Sequence, residues 1–218
     1  MGEFEYKGTL VSIGDIGISD KPLNTLGNTH GSVEYINEKY YVFYHRHTNR
    51  HGFSRQACAE EIKMLEDGTF KQAEITSCGL NGAPLKAEGI YEARIACHLF
   101  SRKGVKASAL KTPKSCYPYF TQTGKDREEN GDQYIANFCN GATAGFKYFN
   151  FKENKTIFIT VKGKAEGRIV VKDGLDGKVV ASFEIMPCDE MQRLQTSLTI
   201  ENGMKPLYFT FHGKGALD

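Results

Sequence analysis

The stretch 29-THGSVEYINEKYYVFYHRH-47 decides the fold. SVEYI alternates apolar and polar residues, Asn37-Glu38-Lys39 reads as a turn, and YYVFYHR is a nearly unbroken run of aromatic and β-branched residues. Period-two patterning on both sides of a turn is the signature of a β-hairpin. Downstream, a polar loop (HTNRHG) leads into FSRQACAEEIKML, a turn at Glu66-Asp67-Gly68, and TFKQAEITS, which predicts a second hairpin by its Asp-Gly signal. Upstream, GTLVSI (8–13) predicts a short strand before a Gly-, Asp- and Asn-rich loop over 14–28. Four successive antiparallel strands make a meander, the unit of a propeller blade, and one such unit cannot bury both of its faces.

Beyond LNGAPL (80–85) the pattern changes. Strands are predicted at GDQYIANFCN (131–140), GFKYFNF (145–151), KTIFITVKG (155–163), EGRIVVKDG (166–174), KVVASFEIM (178–186), LQTSLTI (194–200) and LYFTFHG (207–213). Turns such as Asp173-Gly174, Asp176-Gly177 and Glu201-Asn202-Gly203 separate them, the spacing of a β-sandwich. The class is all-β, with 23 glycines against 6 prolines, 14 Phe, 11 Tyr and no Trp. Two modules are expected, 1–85 and 86–218, and their charge differs. The first carries 8 of the 28 basic and 11 of the 26 acidic side chains. A formal net charge of +2 gives no field suited to nucleic acid or an anionic membrane, so a neutral partner is expected. Cys58, Cys78, Cys97, Cys116, Cys139 and Cys188 show no C-x-x-C spacing, which argues against a zinc knuckle or thioredoxin-type site.

The ordered set G-N-T-H-G-S, KYYVFYHRHTN, FSRQACAE and ITSCGLNG resembles the last blade of the family 43 glycoside hydrolases, five-bladed propeller enzymes that include β-xylosidases and α-L-arabinofuranosidases. That likeness covers residues 3–85. Residues 86–218 resemble, more weakly, the jelly-roll-like sandwich of a family 6 carbohydrate-binding module, through GDQYIANFCNGATAGFKYFNF and LYFTFHGKGALD. The resemblance implies a substrate class of arabinoxylan-type plant polysaccharide or its oligosaccharides. It also implies that the base and acid carboxylates of hydrolysis lie on earlier blades, so no catalytic residue is assigned here and this chain alone is expected to be non-catalytic. Asp15, Asp20 and Glu34 read as solvated or turn residues.

His30, in the H-G-S motif, corresponds by this resemblance to a histidine that contacts a cation, commonly calcium, or its water in the complete propeller; for this chain alone no cofactor is expected. Calcium prefers oxygen ligands, and one histidine would hold it poorly. His45 and His47, two apart on a strand, share a face and could in principle chelate zinc, with His51 in the following loop. Arg46, Arg50 and Arg55 could position sugar hydroxyls. In the sandwich the candidate sugar contacts are Tyr117, Tyr119, Tyr134, Asn137 and Asn140, rings to stack on a pyranose and amides to bond its hydroxyls.

The competing expectation is a structural brace, or a subunit that complements missing propeller blades or a second copy of itself. Aromatics buried against residues 1–85 would favour the brace, and exposed aromatics beside Asn in one concave patch would favour binding. The N-terminus shows no apolar signal region, so a cytoplasmic location is expected if the chain is complete.

Overall fold

The hairpin forms as its pattern predicts. In the computed structural model, which describes residues 3–106, 117–124 and 131–218, β1 (Ser32–Ile36) and β2 (Lys39–His47) pair antiparallel from Ile36↔Lys39 to Ser32↔Phe43. Asn37 and Glu38 both take positive φ, 49° and 63°, giving the left-handed two-residue connection whose twist matches a hairpin. β3 (Arg55–Ile62) joins the other side of β2, from Tyr40↔Ile62 to His47↔Arg55. β2 is therefore central and largely buried, while β1 is an exposed edge.

The meander stops at three strands where four were expected. Residues 69–77 make isolated bridges, Met64↔Phe70 and Val11↔Ala73, and GTLVSI contributes one residue to the second of these. The reason lies in the backbone donors. The Ile75 N–H donates to Asp15 Oδ1 at 2.7 Å and the Thr76 N–H to Glu60 Oε1 at 2.8 Å, so two buried carboxylates take bonds that a ladder would use.

The remaining strands are β4 (Leu85–Lys86), β5 (His98–Phe100), β6 (Tyr119–Gln122), β7 (Gln133–Ala136), β8 (Phe138–Cys139), β9 (Thr143–Phe151), β10 (Thr156–Gly163), β11 (Glu166–Lys172), β12 (Val179–Ile185), β13 (Cys188–Ser197), β14 (Gly203–Lys214) and β15 (Ala216–Leu217). One sheet runs β12-β11-β14-β9-β4 with β5 also on β9; the facing sheet runs β13-β10-β15-β8. β6 and β7 form a separate hairpin. The expected strand 131–140 is broken at Asn137, whose φ is 56°, so its halves enter different sheets.

Between the two sheets lies the main core, with Phe211, Val171, Ile185 and Leu217 almost wholly buried. Each such side chain contributes about 1.5–3 kcal/mol of transfer free energy. The propeller-like part has a smaller core around Val42, Ile62 and Ala73. A third cluster, Tyr44, Ile75 and Cys97, joins the two parts. The expected boundary after residue 85 is gradual: Cys78 already belongs to the sandwich core, and β4 begins at Leu85. Cys116 lies outside the described residues; Cys58, Cys78, Cys97 and Cys188 are free thiols.

Gly31 tests the docking of the segment that precedes β1. A Cβ there would stand 1.6 Å from the Phe43 carbonyl oxygen, whereas at Gly52 it would meet open space. Gly31→Ala should cost about 1–3 kcal/mol by overpacking, and Gly52→Ala about 0.5 kcal/mol or less, both read from denaturant midpoints.

Candidate functional site

The H-G-S histidine and its neighbours assemble as a stack. His45 and His47 lie on one face of β2, as their spacing requires, with ring centroids 6.0 Å apart, and the His30 ring meets His45 edge-on at 4.6 Å. Asn28 clamps both strand histidines: its carbonyl oxygen lies 3.1 Å from His45 Nε2 and its Oδ1 lies 2.8 Å from His47 Nε2. Burial lowers the pKa of both imidazoles, helped by the positive charge of Arg55. His51 stands apart, exposed, with Nδ1 accepting from the Phe53 N–H. Zinc chelation is not what this geometry provides, and no group of three His, Cys, Asp or Glu is placed to hold a metal among the described residues. Around His30 the donors are imidazole nitrogens, a poor match for calcium, so no step is assigned to that ion.

Arg46 proves to be a clamp rather than a sugar contact. It is buried, its guanidinium stacks 3.6 Å over the Phe120 ring, and it donates to Gln56 Oε1 (2.9 Å), the Ala96 carbonyl (2.5 Å) and the Arg94 carbonyl. Arg50 does similar work. It stacks 4.0 Å over Tyr119 and reaches the Tyr117 carbonyl at 3.5 Å. Tyr117 and Tyr119 are thus half-buried against the propeller-like part, walling a small cavity of about 30 Å³ with His47 and Thr48. Asn137 donates from Nδ2 to the Tyr117 carbonyl, and exposed Asn140 accepts from the Gly213 N–H. Tyr134 sits half-buried on β7 across from Thr121. These five predicted contacts are spread along the junction and the sandwich edge and do not converge on one concave patch.

Arg55 is different. It lines a cleft of about 380 Å³ between the β2–β3 loop and the β6–β7 hairpin. Asn49, Gln56, Arg94, Gln122 and Gln133 share that cleft, with hydroxyls of Thr48, Ser54 and Thr121. Amides, hydroxyls and guanidinium groups over a partly apolar floor are the donor and acceptor set that polyhydroxylated ligands need. Only Arg55 of this group was singled out from sequence. Gln122 and Gln133 pair in β6–β7 and carry no motif, so their place emerges only once the chain is folded.

Asp15 overturns the turn-residue reading. Its backbone does turn, accepting from the Ile18 and Ser19 N–H groups, but the carboxylate is 1% exposed. Oδ2 lies 2.7 Å from His98 Nε2 and 3.0 Å from Lys147 Nζ. Lys147 also reaches Glu74 at 2.8 Å, and His98 Nδ1 faces the Tyr208 hydroxyl at 2.8 Å. Burial opposes the Asp15 charge, yet the His98 hydrogen bond, Lys147 and the Ile75 N–H hold its pKa below the ordinary value. Burial pushes His98 down against the pull of Asp15. The sequence did carry a signal. In β9 the residues facing Phe149 and Phe151 at period two include Lys147, a charge in a buried register. Asp20 and Glu34 are exposed, as read.

Glu60 was missed as well. Burial raises its carboxyl to about 7, the acidity of a general acid, but both oxygens are occupied by Thr76 and Tyr44 and the residue is 4% exposed. It is a structural acceptor for the segment after β3.

No family model matches the chain. It is 41% identical over 220 residues to a xylosidase/arabinosidase of Thermoclostridium stercorarium, an alignment that covers 98% of this chain and 46% of that one. A glycoside hydrolase family 43 arabinoxylan arabinofuranohydrolase from Bacillus subtilis, solved with cellotetraose, superposes on all of this chain with a TM-score of 0.55 at 16% identity, over 44% of its own length. A family 6 carbohydrate-binding module aligns over 62% of this chain and 95% of its own, at 15% identity and a TM-score of 0.46. The chain spans about half the length of the first two. It shares the fold of the matching part of that Bacillus subtilis structure, a propeller-type segment followed by a β-sandwich.

Removing the Asp15 charge would leave Glu74, itself partly exposed, to answer the buried Lys147 ammonium. Asp15→Asn should therefore cost about 3 kcal/mol, the low end for a broken buried pair, measured by chemical denaturation. The pH dependence has a definite sign. Both His98 and Asp15 have folded values below their unfolded ones, so the unfolded chain binds more protons in acid. Their stabilisation should be complete above about pH 6.5 and decline on acidification, through His98 first and Asp15 below about pH 4. In His98→Gln the decline near pH 6 should become shallower in the midpoint-against-pH profile, with His45 and His47 supplying what remains.

Proposed function

We infer that this chain is the C-terminal portion of a family 43-type glycoside hydrolase, and that its task is to hold arabinoxylan-type plant polysaccharide or its oligosaccharides. The 41% identity to a xylosidase/arabinosidase supports this reading. The observation that carries it is the cleft between the two parts, where Arg55, Arg94 and four amide side chains surround a space large enough for one or two sugar rings. Binding, rather than hydrolysis, suits the carboxylates present. Inversion at a sugar needs a base and an acid facing each other across the ring with a water between them. Asp15 is locked in ion pairs and Glu60 is sealed by hydrogen bonds, so neither faces a ligand. The acids that cleave the bond would come from the rest of the propeller, with which this chain would be continuous or complementary.

A second role, as a brace, rests on its own observation. Arg46, Asp15 and Lys147 each reach from one part of the chain to the other, and Tyr117 and Tyr119 are packed at that junction. Aromatics buried against residues 1–85 are the arrangement a brace requires. The two roles are compatible: the clamps fix the relative placement of the loops that wall the cleft.

Titration of the 218-residue chain with xylo- and arabino-oligosaccharides should show saturable binding, weakened at least about fivefold by Arg55→Ala and unchanged by Asn140→Ala. Absence of binding would leave the brace as the function. Turnover of aryl β-xyloside or aryl α-arabinofuranoside by the chain alone would overturn the non-catalytic reading.

A further inference from the structure

We propose that the cleft selects oligosaccharides carrying a carboxylate, that is, sugar chains bearing a uronic acid substituent. The inference rests on the reading of the cleft as a carbohydrate site and names which carbohydrates it prefers. Two guanidinium groups, those of Arg55 and Arg94, line the cleft, and no Asp or Glu lines it among the described residues. Their bonding is incomplete. Arg55 is exposed and has no hydrogen bond or ion pair among the described residues. Arg94 pairs through Nε with Glu92, which leaves its two terminal nitrogens without partners among the described residues.

Contrast Arg46 and Arg50 nearby. Both are spent on carbonyl oxygens and on aromatic faces, and their positive charge is part of the packing. Arg55 and Arg94 are held in place differently. Arg55 is fixed at the start of β3 by pairing with His47, and Arg94 is fixed through its own carbonyl, which accepts from Arg46. Their backbones are thus anchored at the cleft wall. A guanidinium fork presents two parallel N–H groups, the geometry that a carboxylate accepts in bidentate fashion. Neutral sugar hydroxyls would be served as well by amides such as those of Asn49 and Gln133, which accompany the two arginines. An unpaired Arg55, with the terminal nitrogens of Arg94 beside it, is better matched by a ligand with one negative charge and several hydroxyls.

The test is calorimetric titration with three ligands of equal length: a neutral xylo-oligosaccharide, the same chain with one glucuronic acid branch, and that branched chain as its methyl ester. The acidic ligand should bind at least about tenfold more tightly than either neutral one, and the advantage should shrink as salt is raised. Arg55→Gln and Arg94→Gln should each reduce that advantage by lowering the affinity for the acidic chain more than that for the neutral one; thermal melts verify folding. Equal affinity for all three ligands would overturn the preference and leave the carbohydrate reading standing. Failure of every ligand to bind would overturn both. A preference for acid that survives in both variants would overturn the assignment to this cleft.

Discussion

A charge removed from water has to be answered, and in this protein the answer comes from distant parts of the chain. Asp15 sits in a glycine-rich loop near the N-terminus; its partners are His98, on a short strand at the sandwich edge, and Lys147, in the middle of a long sandwich strand. Taking a carboxylate out of solvent costs several kcal/mol unless hydrogen bonds and counter-charges replace the water. Asp15 receives an N–H from Ile75, an imidazole and an ammonium, and the ammonium is answered in turn by Glu74. Much of the junction follows from that demand. The segment after β3 is pinned where Ile75 and Thr76 can donate, and the fourth strand of the meander is given up to do so.

The junction in turn shapes the surface. Arg46 threads from β2 to the carbonyls of Arg94 and Ala96 and lies on Phe120, which fixes the β6–β7 hairpin against the β2–β3 loop. The cleft that carries Arg55 is the space left between those two hairpins. A cleft built this way has its walls on rigid paired strands and owes its width to buried contacts beneath it. Substitutions at Arg46 would therefore reshape the cleft without altering a residue that lines it.

Patterning made the first hairpin, the strands of the sandwich and the all-β class legible, because period-two burial and turn residues are local properties. Two kinds of information were not local. Asp15 has the sequence surroundings of a turn, and half of that is true; only the folded chain shows that its carboxylate turns inward toward His98. Tyr117 and Tyr119 have the composition of a sugar platform, yet their surroundings are set by Arg50, far back in the sequence. The break at Asn137 shows the same limit. A strand of suitable composition is divided because its two halves have partners in different sheets, β6 on one side and β15 on the other. Lys147 was within reach, since a lone charge on the inward register of an aromatic strand asks for a buried partner.

The span of the Asp15–Lys147 contact, 132 positions apart, also has a kinetic meaning. Closing so long a loop costs conformational entropy before any contact repays it. Until β9 is laid into its sheet, the propeller-like part holds an acid with no cation to neutralise it. The Asp15–Lys147 ion pair therefore forms only when both segments are in place. Until then water solvates a charge that the finished molecule hides.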